Sequence, residues 1–173
     1  MSNDRATVLV VDDEPEMARA LCELLQAAGY RTLSANSGAD ALEIVKRKQP
    51  DLVISDLRMA EMTGHQLQAE LHRIAPDLPV VIITAFGSIE SAVESMKLGA
   101  RDFITKPFGN QELLLVVSRT LENRKLRQEV GRLRGELARS YGISNIIADP
   151  KMGAVLEMVE EVADSLATVL ITG

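Results

Sequence analysis

Three carboxylates, Asp12, Asp13 and Glu14, stand in a row directly behind the aliphatic run VLVV and ahead of Pro15. Three more residues with usable chemistry close later apolar runs: Asp56 after LVIS, Thr84 after VVII and Lys106 after FIT. If these runs are neighbouring strands, Asp12, Asp13 and Asp56 converge at one edge, where like charges repel and raise one another's pKa. A divalent cation relieves that repulsion, and Mg²⁺ typically takes one or two carboxylates together with phosphate oxygens and water. Lys106 brings a positive charge that can pair with Asp56 or with an anion added to it, and Thr84 brings a hydroxyl donor. A carboxylate nucleophile, a metal site, a lysine and a hydroxyl are the parts required to accept a phosphoryl group as an aspartyl phosphate.

Such a convergence needs a particular scaffold. Through the first 118 residues, short apolar runs (TVLVV, RTLSA, DLVIS, LPVVIIT, DFIT) alternate with amphipathic stretches (EMARALCELLQAAG, GADALEIVKRK, TGHQLQAELHRIA, SIESAVESMKLG, NQELLLVVSRTL). Aliphatic runs without polar alternation suit parallel strands covered on both faces, with the helices as crossovers. Five such pairs predict an α/β fold: a flavodoxin-like five-stranded parallel sheet of order 2-1-3-4-5 with helices on both faces, followed by a helical linker. In open sheets of this kind a ligand sits beyond the carboxyl ends of the strands, which is where the acids fall.

The blocks VVDDE, DLVISDLRM, VVIITAFG and GARDFITKPF resemble, in order and spacing, those of bacterial response-regulator receiver domains over about residues 6–122. The resemblance implies a phosphorylated, Mg²⁺-dependent regulatory domain of a two-component system, served by a sensor histidine kinase, rather than an enzyme with turnover. Asp56 would be the phosphoacceptor and a Mg²⁺ ligand, Asp13 a direct Mg²⁺ ligand, Asp12 a ligand largely through water and Arg58 a ligand through its backbone carbonyl. Lys106 and Thr84 would hold the phosphoryl oxygens, and Phe103 would be the aromatic switch that follows Thr84. The family often has a proline and a glycine where this chain has Ala60 and Glu61, so a rigid turn element beside the site is missing.

The 173 residues leave a tail beyond one domain of ordinary size. Residues 1–118 carry 11 basic and 17 acidic side chains, and residues 119–139 carry 7 and 3. An acidic body of this kind argues against nucleic acid as its own partner, because phosphate contacts need a basic surface. From Thr120 to Leu137 no proline intervenes, and Leu126, Val130, Leu133 and Leu137 form a seam spaced 4, 3 and 4, which predicts a continued helix with a two-helix contact. With Gly131 and Gly135 inside it, the seam is too weak to pair alone. A homodimer through the face of the fourth helix, fifth strand and fifth helix, together with the linker, is the expected partner state.

The last stretch, IIADPKMGAVLEMVEEVADSLATVLITG, resembles the opening of the AAA+ domain of NtrC-class sigma-54-dependent activators. The phosphate-binding pattern G-x-x-x-x-G-K-[ST] does not occur in the sequence, so no ATP hydrolysis is expected of these residues. Contacts with sigma-54 RNA polymerase and DNA would belong to domains outside them. The expected organisation is a receiver at 1–122, a helical linker at 123–140 and an AAA+ fragment at 141–173. The longest apolar runs are too short to span a bilayer and the N-terminus lacks a signal-peptide layout, so the expected location is cytoplasmic, with no membrane partner. The competing reading is an interaction module whose dimer, and not its phosphorylation, carries the function. A flavin-binding fold is disfavoured by the acidic crevice. An aspartate-based phosphatase is disfavoured because LRM follows Asp56 with no second carboxylate two residues on.

Overall fold

The computed structural model describes residues 5–85 and 102–140, with side chains described as far as Glu136. The elements run β1 (Thr7–Val11), α1 (Pro15–Ala27), β2 (Arg31–Ala35), α2 (Gly38–Lys48), β3 (Leu52–Asp56), α3 (Gly64–Ile74), β4 (Val80–Thr84), β5 (Asp102–Thr105) and α4 (Asn110–Ser140). The helix expected over residues 88–99, and with it part of the proposed dimer face, lies outside the described residues, as does the whole of 141–173.

All five strands are parallel, in the order β2-β1-β3-β4-β5, as the alternation of apolar runs and amphipathic stretches predicts. The strand side chains point alternately to two faces, and each face has its own core. Val8, Val10, Ile54, Ile83 and Ile104 pack with Leu21 and Leu25 of α1 and with Leu113 and Val117 of α4. Leu9, Val11, Val53 and Ile82 pack with Val45 of α2 and with Leu67 and Leu71 of α3. Burial on both faces is why these strands read as unbroken aliphatic runs.

Local chemistry sets the helix starts. Pro15 occupies the first turn of α1, where its missing N–H costs nothing. The Ser37 hydroxyl accepts from Asp40 N at 3.1 Å, and Thr63 and Gln66 form a reciprocal capping box on α3. Gly29 turns the chain out of α1 at φ +93°, a conformation that disfavours any residue with a Cβ.

The contacts divide the chain into two units, residues 1–127 and 128–173. Within the first, α4 buries Leu113, Val117 and Thr120 against the sheet. The helix continues past Leu121, as the sequence predicts, and Leu126, Val130 and Leu133 are exposed on it. Leu137 lies beyond the described side chains.

Candidate functional site

The carboxyl ends of β1, β3, β4 and β5 present the residues singled out above. Asp12, one residue past β1, is 3% exposed. Its Oδ1 accepts from Glu14 N at 2.9 Å, an Asx-type turn that bends the chain from strand to helix. Glu14 occupies the N-cap position of α1, but no side chain caps that helix, so helix capping does not account for the acidic run. Asp13 is exposed, and its Oδ2 accepts from Ala60 N at 3.0 Å.

Asp56 ends β3, and its two oxygens have different partners. Lys106 Nζ donates to Oδ1 at 2.7 Å and Arg58 N donates to Oδ2 at 2.7 Å. The same ammonium stands 3.9 Å from Asp12 Oδ2, so Lys106 bridges the buried Asp12 and the half-buried Asp56. Lys106 follows β5 across a cis peptide to Pro107, and its N–H donates to Thr84 O at 2.7 Å.

Thr84 ends β4, is 4% exposed, and lies one residue beyond Ile83, the strand partner of Asp56. In the register of β4 and β5, Phe103 pairs with Ile82 and Thr105 with Thr84. The period of two therefore puts Thr84 and Phe103 on one face of the sheet, diagonal to each other. Phe103 is half-buried and packs on the core beneath α2 and α3.

The electrostatics follow from this crowding. Burial pushes the Asp12 carboxyl above its usual value, although the Glu14 N–H and the Lys106 charge act in the opposite direction. Burial alone would depress Lys106, but the hydrogen bond to Asp56 and the charges of Asp56, Asp12 and Glu14 outweigh it and raise the ammonium. Among the described residues, no group of three His, Cys, Asp or Glu side chains is positioned to hold an ion by itself. His65 and His72 of α3 therefore complete no such set. A site of carboxylate and peptide oxygens, without thiolate or imidazole, nevertheless fits Mg²⁺, which keeps several waters and needs only one or two carboxylates.

The structure brings Asp12, Asp56 and Lys106 into one cluster, sets Thr84 beside it and ties Asp13 to the loop after β3. Three features lie outside the sequence reading. The Arg58 N–H is engaged with Asp56, where only its carbonyl was considered. The Ala60 N–H holds Asp13, a donor that a proline at that position would lack. Gly64 approaches β3 so closely that an added Cβ would lie 2.5 Å from Asp56 O. Cys22 is half-buried against the core, and burial raises its thiol, as befits a small packing residue.

Residues 8–118 match the response regulator receiver domain family. The transcriptional regulatory protein ZraR of Klebsiella oxytoca is 39% identical over all 173 residues, which correspond to 38% of that protein. The matched proteins include the regulatory proteins ZraR, AtoC and GlrR, and this chain spans about two fifths of their length. The receiver domain of a LuxO repressor protein from Vibrio parahaemolyticus superposes with a TM-score of 0.69 at 30% identity, covering 73% of this chain and 97% of that one. NtrX from Brucella abortus gives a TM-score of 0.72 at 34% identity, covering 92% of this chain and 35% of that one. The chain belongs to the response regulator receiver domain family.

Proposed function

We propose that Asp56 accepts a phosphoryl group from the phosphohistidine of a sensor kinase, and that this charge change alters how two copies of the chain pair. The observation that supports it best is the Lys106–Asp56–Arg58 arrangement, a carboxylate at a strand end held on one oxygen by an ammonium and on the other by a peptide N–H. In the transfer, an Asp56 oxygen forms a bond to phosphorus in line with the departing imidazole. The P–N bond breaks and the imidazole takes up a proton as it leaves. Asp12, Asp13, Asp56 and the Arg58 carbonyl would hold Mg²⁺, which would neutralise charge on the phosphoryl oxygens.

Lys106, already 2.7 Å from Asp56, stays with the added phosphoryl group as a charge-assisted donor. Thr84 supplies a hydroxyl from the next strand, and Phe103, diagonal to it, follows its movement. An apolar groove of about 650 Å³ lined by Met17, Ala20, Leu24, Pro107 and Phe108 reaches Lys106, and in this reading the kinase docks along it. Residues 1–122 are the receiver in this reading, 123–140 its helical outlet, and 141–173 the start of an ATPase domain. Control of a sigma-54-dependent activator, with contacts to polymerase and DNA made elsewhere in a longer protein, belongs to this reading and is supported by the transcriptional regulators among the relatives. Work in the cytoplasm accords with the finding that no described helix is long and apolar enough to cross a membrane.

The site assignment is tested by treating the chain with Mg²⁺ and a small phosphodonor, reducing with borohydride and mapping the resulting homoserine. Homoserine at position 56 supports the assignment, and modification elsewhere refutes it. A second reading, a pairing module indifferent to phosphorylation, draws on the exposed Leu126, Val130 and Leu133. It predicts identical sedimentation with and without the phosphodonor, whereas the switch predicts a shift.

A further inference from the structure

Helix α4 packs on the sheet with apolar side chains only as far as Leu121. From Glu122 to Arg134 every side chain is exposed except one, Arg124. Its Nη1 donates to Asp51 Oδ1 at 3.0 Å and to Pro50 O at 3.3 Å. Asp51 is itself anchored, because its Oδ2 accepts from Thr7 N at 2.9 Å and its N–H donates to Thr7 O at 2.7 Å. Thr7 opens β1, and Asp51 immediately precedes β3. The guanidinium is thus fastened to the amino ends of the two strands whose carboxyl ends carry Asp12 and Asp56.

We propose that the Arg124–Asp51 contact is the joint that holds the turn of α4 beyond Leu121, residues 122–127, to the sheet. The reasons are physical. A helical segment with no packed face is marginal in water, and Gly131 and Gly135 weaken this one further. One charged contact, 20% exposed on the arginine side, adds a full turn of attachment beyond Leu121. Arg124 Nε is buried without an acceptor among the described residues, a cost to the domain, which fits a contact kept for orientation more than for stability. Placed two residues ahead of Leu126, the joint also sets the face of the helix on which that exposed side chain stands. The inference concerns this joint alone and does not depend on phosphorylation of Asp56.

Amide hydrogen exchange on the full chain tests it, with Arg124→Met, Asp51→Asn and the double variant. Asparagine at 51 keeps an acceptor for the Thr7 N–H, and methionine at 124 keeps the apolar stem. Each single variant is expected to speed exchange at residues 122–130 about tenfold while β1 and β3 amides keep their rates, and the double variant is expected to be no faster than either single. Unchanged rates at 122–130, additive effects in the double variant, or equal acceleration in β1 and β3 would each overturn the proposal, the last because it reports loss of the whole fold.

Discussion

Replacing Asp12 with asparagine should make the metal-free protein more stable. Asp12 is almost fully buried, and removing a carboxylate from water costs several kcal/mol even after relaxation. Lys106 at 3.9 Å returns about 4 kcal/mol at an effective dielectric of 20. Asp56, on the other side of the same ammonium, takes back about 2–3 kcal/mol on the same basis. The remainder is a net penalty of about 1–2 kcal/mol for a charged Asp12, in agreement with its raised pKa. Asparagine keeps an oxygen for the Glu14 N–H and removes the charge.

Because the folded pKa lies above the unfolded one, the folded state holds the proton more tightly. The Asp12 contribution to wild-type stability therefore falls as pH rises from the ordinary carboxylate value of 3.8 through the folded value, and is level above it. In thermal unfolding followed by circular dichroism at pH 7 in EDTA, Asp12→Asn should melt about 3–6 °C higher. The gap should narrow as pH is lowered through that window, and Mg²⁺ should stabilise the wild type more than the variant. A variant that melts lower than wild type in EDTA would refute the reasoning.

Lys106→Met should lower stability at pH 7 by about 1–2 kcal/mol, since it leaves Asp56 and Asp12 uncompensated, and adding Asp12→Asn should recover part of the loss in chemical denaturation. The raised lysine contributes fully below 10.5 and loses its contribution as pH climbs through its folded value, so an alkaline destabilisation seen in wild type should be absent from Lys106→Met. Gly64→Ala forces a Cβ to within 2.5 Å of Asp56 O; it should cost about 1–3 kcal/mol and slow phosphoryl uptake, and a variant with wild-type uptake would show that the contact does not position Asp56. Leu133→Lys, on the exposed stripe, should abolish any phosphodonor-dependent shift in sedimentation while leaving the site chemistry intact.

Much of this was legible in the residues because two-sided burial writes itself as aliphatic runs, and parallel strands of known order bring their carboxyl ends together. Strand order, the cluster of Asp12, Asp56 and Lys106, and the continuation of α4 all follow from that pattern. Main-chain donors are another matter. Every residue but proline carries an N–H, so nothing in the letters distinguishes Ala60 or Arg58 as the one that reaches a carboxylate. Arg124 was equally hidden, since it reads as one more charge in a basic stretch until the fold brings Asp51, 73 positions away, beside it.

The most direct test is the intact mass of the chain after incubation with Mg²⁺ and a small phosphodonor, with Asp56→Asn and an EDTA control alongside. One added phosphoryl group on the wild type, absent from both controls, is the expected result. No addition to the wild type, or an equal addition to Asp56→Asn, would contradict the assignment of Asp56 as the acceptor.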